Sequence, residues 1–206
     1  MKNDSKYKVS VNRIVALTDG IFAISMTLLV LSLDLPQKGR EMTEIGLHKL
    51  LAAQSQEFFN YALSFFLLAN FWIIHHKQFN SIRHTNSKHI WINIMSLLFI
   101  SLVPFSTSLV GDLPSDSVAE LFFAANIFCI AIPFRWNWIY ATNKHRLVDS
   151  ELDIKYIILI RRRTLVLPIV ALLAMIIALL HPSSASYVFL LAPLLMRLPY
   201  FQDIAD

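Results

Sequence analysis

Six apolar segments separated by short polar loops constrain this chain more than any other feature. They run roughly over 13–35, 46–76, 89–111, 117–140, 157–181 and 184–201. A helix needs about 20 apolar residues to cross the hydrocarbon core of a bilayer. In lipid, a spanning segment must satisfy its backbone groups internally, which a helix does. The pattern therefore predicts an all-α integral membrane protein, with six transmembrane helices forming one domain over 1–206. Only 16% of the residues are charged, against about 25% in a typical soluble domain. Mean hydropathy is +0.55, and no water-soluble fold of this size has room for so much apolar surface.

The segments are not uniform. The second is too long for a simple span, and its first half, through Gln54, Ser55, Gln56 and Glu57, is polar enough to extend into water. Pro133 is expected to kink the fourth segment or mark its exit. The fifth opens with Arg161, Arg162 and Arg163, so its membrane part is expected to begin near Thr164 and to end at His181 and Pro182. The sixth is short and holds Pro193 and Pro199. The first segment is too long for a signal-peptide core and carries Arg13 and Asp19 near its start.

Basic residues orient the chain. With the N-terminus inside, the cytoplasmic set is Lys2, Lys6, Lys8, Arg13, Lys77, Arg83, Lys88, Arg135, Lys144, Arg146, Lys155, Arg161, Arg162, Arg163 and Arg197. Lys38, Arg40 and Lys49 fall outside. That division, 15 of the 18 bases on one side, follows the positive-inside rule and puts both termini in the cytoplasm of a protein of the cell membrane. The outer loop between segments 3 and 4 is expected to carry Asp112, Asp116 and Glu120 without a base. The same distribution explains the net charge of +4. The bases form no continuous face, so nucleic acid is not expected as a partner. The single cysteine, Cys129, sits in an apolar run and gives neither a disulfide nor a metal-binding spacing.

Ionisable groups inside spans are expensive and informative. Arg13 lies at the cytoplasmic interface, where it can snorkel. Asp19 lies six residues deeper, roughly 9 Å along a helix axis, and needs a partner. Gly20 permits close helix approach. Trp72, His75, His76 and Asn93 fall at the same depth on segments 2 and 3. With Thr18 beside Asp19, these residues suggest a hydrogen-bonded clamp among three helices. A proton-sensing role for His75 or His76 is a second reading. A metal site is disfavoured, because adjacent histidines point about 100° apart on a helix.

Ile24, Thr27, Leu28 and Leu31 recur at i, i+3, i+4 and i+7 and form one stripe. Composition alone suits lipid contact or helix packing. It also suits a pore if several copies meet on an axis, where aliphatic rings gate by dewetting and threonine oxygens replace part of an ion's hydration shell. No nucleophile–base pair, His-Glu-x-x-His zinc motif or phosphate loop points to an enzyme.

The run Arg13-x-x-x-Leu17-Thr18-Asp19-Gly20, followed by Ala23-Ile24-x-x-Thr27-Leu28-Leu29-Val30-Leu31, resembles the first-helix signature of the lysosomal-type potassium channels, the transmembrane protein 175 family. That signature usually reads Arg-x-x-x-Phe-Ser-Asp-Gly. Leu17 and Thr18 depart from it, and threonine keeps the hydroxyl. Trp72-x-x-His75-His76-x-x-Phe79, and Asn93 through Pro104-Phe105-Ser106-Thr107, are similar to the same family. The resemblance implies a homotetramer around a central pore lined by the first helix, passing K⁺ passively without a carbonyl filter or a cofactor. It implies Ile24, Leu28 and Leu31 as the constriction, Thr27 as the polar ring for the ion, and Arg13, Asp19, Trp72 and His76 as the interhelical network. A proton-conducting channel is the alternative, and a non-conducting membrane scaffold a further one.

Overall fold

The fold is taken from a computed structural model that describes residues 10–33 and 44–202. Lys2, Lys6, Lys8, Lys38 and Arg40 of the charge argument lie outside the described residues, as does the end of the first predicted segment at 34–35. Nine α-helices are described: α1 Val11–Leu28, α2 Glu44–Ala53, α3 Ser55–Asn80, α4 Ser87–Ser101, α5 Val103–Asp112, α6 Ser117–Thr142, α7 Ile154–Arg163, α8 Val166–Leu180 and α9 Leu191–Leu195. Among the described residues the one β-type pairing is an isolated bridge between Ile82 and Val148.

Five stretches are long and apolar enough to cross a membrane: Val11–Ser32, Ser55–Asn80, Ser87–Asp112, Ser117–His145 and Ile154–Leu180. The predicted sixth span is not a continuous α-helix. Pro182–Leu195 is a shorter apolar stretch, wound as 3₁₀ turns over Pro182–Ser184 and Ser186–Leu190 before the single turn of α9. Pro193 and Pro199 lack the N–H a longer helix would need there. The tighter 3₁₀ winding rises about 2.0 Å per residue, so the stretch reaches further than its length suggests.

Other boundaries moved for identifiable reasons. The second predicted segment divides at Gln54, whose backbone leaves the helical region, and α3 then continues past residue 76 to Asn80. The third divides at Leu102, two residues before Pro104, which cannot donate to the preceding turn. Pro133 does not end α6, which runs on to Thr142. The fifth begins earlier, as α7, and breaks at Thr164 and Leu165. Glu120, expected in the outer loop, sits buried in the first turn of α6 and accepts a 2.6 Å bond from Ser186 Oγ. Asp116 is the cap of that helix, accepting from the N–H groups of Val118 and Ala119, both at 2.9 Å.

The bundle is organised around α6, which is apolar on all sides as a central helix should be. It packs most extensively on α8 and α4. Ala124 and Ala131 of α6 and Ala171, Ala174 and Ala178 of α8 are buried. Side chains this small let two backbones approach closely in lipid. Polar contacts link other helices: Thr107 of α5 donates to Ser64 of α3 at 2.7 Å, and Asn126 of α6 donates to Ser106 at 3.2 Å. Thr107 and Ser106 are also within bonding distance of the Val103 carbonyl beside the Pro104 break. The start of α1, the end of α3 and the start of α4 lie at one end of the molecule with Arg161, Arg162 and Arg163, hereafter the basic end. There Ile14, Phe79, Ile82, Ala141, Leu147 and Val148 form a second small core.

Candidate pore-lining face and interhelical network

Helix α1 is divided lengthwise. Ile14, Thr18, Phe22 and Ser25 are buried along one side, continued by Leu29 and Ser32. That side packs on α3, α4 and α5. Ile24, Thr27, Leu28 and Leu31 lie on the other side and are exposed, Ile24 by 60% and Leu31 by 70%. At about 100° per residue they occupy an arc of roughly 100°. No part of the described chain covers them. The helix ends in a 3₁₀ turn over Leu29–Ser32. Residues three apart nearly eclipse in that winding, which brings Leu31 into line with Leu28. Thr27 Oγ1 donates its proton to the Ile24 carbonyl at 2.8 Å. That bond uses the one proton of the hydroxyl, so the oxygen of this exposed residue has only acceptor capacity left.

Gly20 lies on the exposed side, and a Cβ added there would meet nothing within 4 Å. Its expected close approach to another helix is therefore not made among the described residues of one subunit.

The expected clamp resolves into two parts. In the buried part, Asn93 Nδ2 of α4 donates to Thr18 Oγ1 of α1 at 3.0 Å. His75 of α3 lies beside the same amide. Its ring stacks on Phe79 at 4.0 Å between centroids and meets Phe134 edge-on at 6.0 Å. In the exposed part, Trp72 Nε1 donates to Asp19 Oδ1 at 2.9 Å, and His76 stacks on Trp72 at 5.8 Å. The adjacent histidines thus sit in different surroundings, as their angular separation requires. Arg13 is exposed and makes no side-chain hydrogen bond or ion pair among the described residues. Within one subunit it stands apart from both pairs.

The first curated relative decides the family. A potassium channel of Chamaesiphon minutus is 31% identical over 144 residues, covering 68% of this chain and 70% of the relative. The chain belongs to the TMEM175 family. The family model, described as endosomal/lysosomal potassium channel TMEM175, matches residues 13–104, the part that holds α1, the exposed stripe and both polar pairs. The crystal structure of a lysosomal potassium-selective channel TMEM175 homolog from Chamaesiphon minutus superposes with a TM-score of 0.75 at 28% identity, covering 89% of this chain and 95% of that one. The mouse endosomal/lysosomal proton channel TMEM175 is 30% identical over 138 residues, 60% of this chain but 28% of the mouse protein. Within the TMEM175 family, then, relatives carry the names of both potassium and proton channels.

Several polar residues have contacts that were not assigned from sequence. Ser64 and Asn126 are buried tie points between helices. Glu120 had a readable signal: it lies four residues after a capping aspartate, where an acid is favoured by the helix dipole. Asn70, Lys77 and Arg163 line surface clefts, and no local motif marks them.

Proposed function

We propose that this chain is a passive, potassium-selective channel of the cell membrane. Four copies meet with the exposed faces of α1 on a common axis. Both termini are cytoplasmic, as the distribution of bases suggests, and the Pro182–Leu195 stretch completes a sixth crossing. The observation that carries the reading is the divided α1: one side packed into the subunit, the other presenting Ile24, Thr27, Leu28 and Leu31 with no cover from the described residues. Membership of a family with relatives named potassium channels supports it.

In that assembly Ile24, Leu28 and Leu31 form stacked aliphatic rings that narrow the path and gate it by dewetting. Thr27 supplies four hydroxyl oxygens between the first two rings. Because each hydroxyl gives its proton to its own helix, the oxygens face a cation as acceptors. Potassium surrenders water more readily than sodium, so an apolar constriction with few oxygens penalises it less. Selectivity is modest, since no cage of carbonyls replaces the whole hydration shell. The Asp19–Trp72 and Thr18–Asn93 pairs hold α1 at a fixed rotation against α3 and α4, and His75 packs behind them.

Purified protein in liposomes tests this. An outward potassium gradient should drive flux above that of empty vesicles, with a bilayer reversal potential that follows potassium. A proton path is the second reading. It is favoured by the exposed Asp19, Trp72 and His76 group and by the naming of the mouse relative. A reversal potential that follows pH and ignores potassium would replace the first reading with the second.

A further inference from the structure

A cleft of about 450 Å³ runs along the outside of the subunit between α3 and the sixth apolar stretch, walled by Ala62, Phe66, Leu190 and Pro193. It reaches Asn70 and Met196, and these two residues also line a second cleft of about 140 Å³. The walls of the second include Lys77, Arg163 and Thr164. The two clefts form one groove, hydrocarbon-lined for most of its course and cationic at the basic end. From Phe59 to Asn70 its apolar part follows α3 for roughly 16 Å at 1.5 Å per residue. That is about half the thickness of a 30 Å core, running from the middle of α3 toward its Ser55 end, long enough to seat an acyl chain that enters from the basic end. Lys77 lies two turns beyond Asn70.

Among the described residues, no carboxylate lines the groove. Arg83 pairs with Asp149, and neither lines the groove. Arg163 donates Nε to the Phe201 carbonyl at 2.8 Å, which fixes its fork and leaves the two terminal nitrogens without a described partner. Arg162 stacks over the Tyr200 ring. Deeper in, Arg135 bonds the Arg161 carbonyl and Arg161 bonds the Thr142 hydroxyl. Among the described residues these guanidinium groups have only neutral partners, and half-buried cations arranged this way lack compensation.

We propose that this groove holds one anionic glycerophospholipid of the cytoplasmic leaflet per subunit. An acyl chain lies along Ala62, Phe66 and Pro193, the Asn70 amide meets the ester level, and the phosphate sits between Lys77 and Arg163. Basic pockets between membrane helices on the cytoplasmic side bind anionic headgroups by this chemistry. The apolar length is what selects a lipid over a soluble anion. The inference rests on membrane embedding and on the basic end facing the cytoplasm, and it does not require that the protein conduct.

Native mass spectrometry of the full-length protein, offered equal phosphatidylglycerol and phosphatidylcholine, tests it. One phosphatidylglycerol per subunit should be retained in preference to phosphatidylcholine. Lys77→Gln or Arg163→Gln should each lower retention about fivefold, and the pair roughly twenty-five-fold. Ala62→Trp fills the apolar cleft without altering charge and should lower it too. Lys144→Gln, away from the groove, should leave it unchanged, and matching size-exclusion profiles check that each variant is folded. Equal retention of the two lipids overturns the proposal, as does retention that ignores the substitutions. Loss on the charge variants alone reduces the site to headgroup capture and overturns the groove. Cross-linking of a cysteine at Phe66 to a neighbouring copy would show the groove covered by protein and overturn it as well. Potassium flux measured on the same samples keeps the two readings apart: a protein that retains the lipid but passes no potassium loses the channel and keeps this site.

Discussion

The bond between Thr18 and Asn93 should be energetically coupled, and a double-mutant cycle measures by how much. Thr18 is fully buried and Asn93 is 2% exposed. The bond spans 75 residues of sequence at 3.0 Å and ties α1 to α4. Thr18→Val keeps the side-chain volume but leaves the Asn93 amide short of an acceptor. Leaving a buried polar group unsatisfied costs about 1–3 kcal/mol. Interhelical hydrogen bonds in lipid sit lower, averaging about 0.6 and reaching about 1.7 kcal/mol, because the unfolded chain also finds partners. Thr18→Val should therefore cost about 1 kcal/mol. Asn93→Ala should cost about 2 kcal/mol, since truncation adds a cavity. The double variant should fall short of the sum by about 0.6–1.7 kcal/mol. Equilibrium unfolding in mixed detergent, followed by far-UV circular dichroism, reads all four corners of the cycle. Independent sites add to within about 0.3–0.5 kcal/mol. A coupling inside that margin would mean the bond does not hold α1, and that apolar packing alone fixes its rotation.

Three further outcomes test the pore and its frame. Thr27→Val keeps the shape of the ring and removes its oxygens, so the K⁺ to Na⁺ permeability ratio should fall by about fivefold, equivalent to about 1 kcal/mol per ion. Bi-ionic reversal potentials check this, and an unchanged potential refutes the role. Ile24→Asn places a polar group in the proposed constriction and should raise single-channel conductance while lowering selectivity. A conductance equal to that of the parent would place the barrier elsewhere. Asp116→Ala orphans two N–H groups at the start of α6 and should lower unfolding stability by about 1 kcal/mol, with reversal potentials unchanged.

Hydrophobic length is a property of the chain in one dimension, which is why five spans could be read directly. Their ends depend on local chemistry that length does not carry. Gln54 breaks the second segment, Pro104 the third and Thr164 the fifth, while Pro133 is carried inside α6. The depth of a residue also follows from counting, at about 1.5 Å each. That placed Thr18, Asp19, Trp72, His75, His76 and Asn93 on one level. Counting does not give the rotation of one helix against another, and rotation decides who bonds whom. Thr18 turned to Asn93, Asp19 to Trp72, and Arg13 to neither. The groove was invisible for the same reason, since Ala62, Arg163 and Met196 meet only once three separate helical stretches are packed together.

The aliphatic residues of the exposed α1 face do not argue for assembly by themselves, because Ile24, Leu28 and Leu31 would be equally comfortable against acyl chains. The polar groups on the same face add the argument for it. Asp19 is exposed on the surface of the single subunit, with the Trp72 indole as its hydrogen-bond donor. An aspartate facing lipid deep in a helix costs about 2.5–3.5 kcal/mol by insertion measurements. Arg13 carries the opposite charge on the same helix and has no ion-pair partner among the described residues. Gly20 presents bare backbone beside them, and the exposed Thr27 oxygen has only acceptor capacity left. A lone subunit in lipid must bear all of these costs at once. A ring of copies relieves them together, by placing the polar groups against water in a pore or against the neighbouring subunit. A purified protein that runs as a monomer in lipid nanodiscs, and is as stable as the same chain with Asp19→Leu, would contradict that balance.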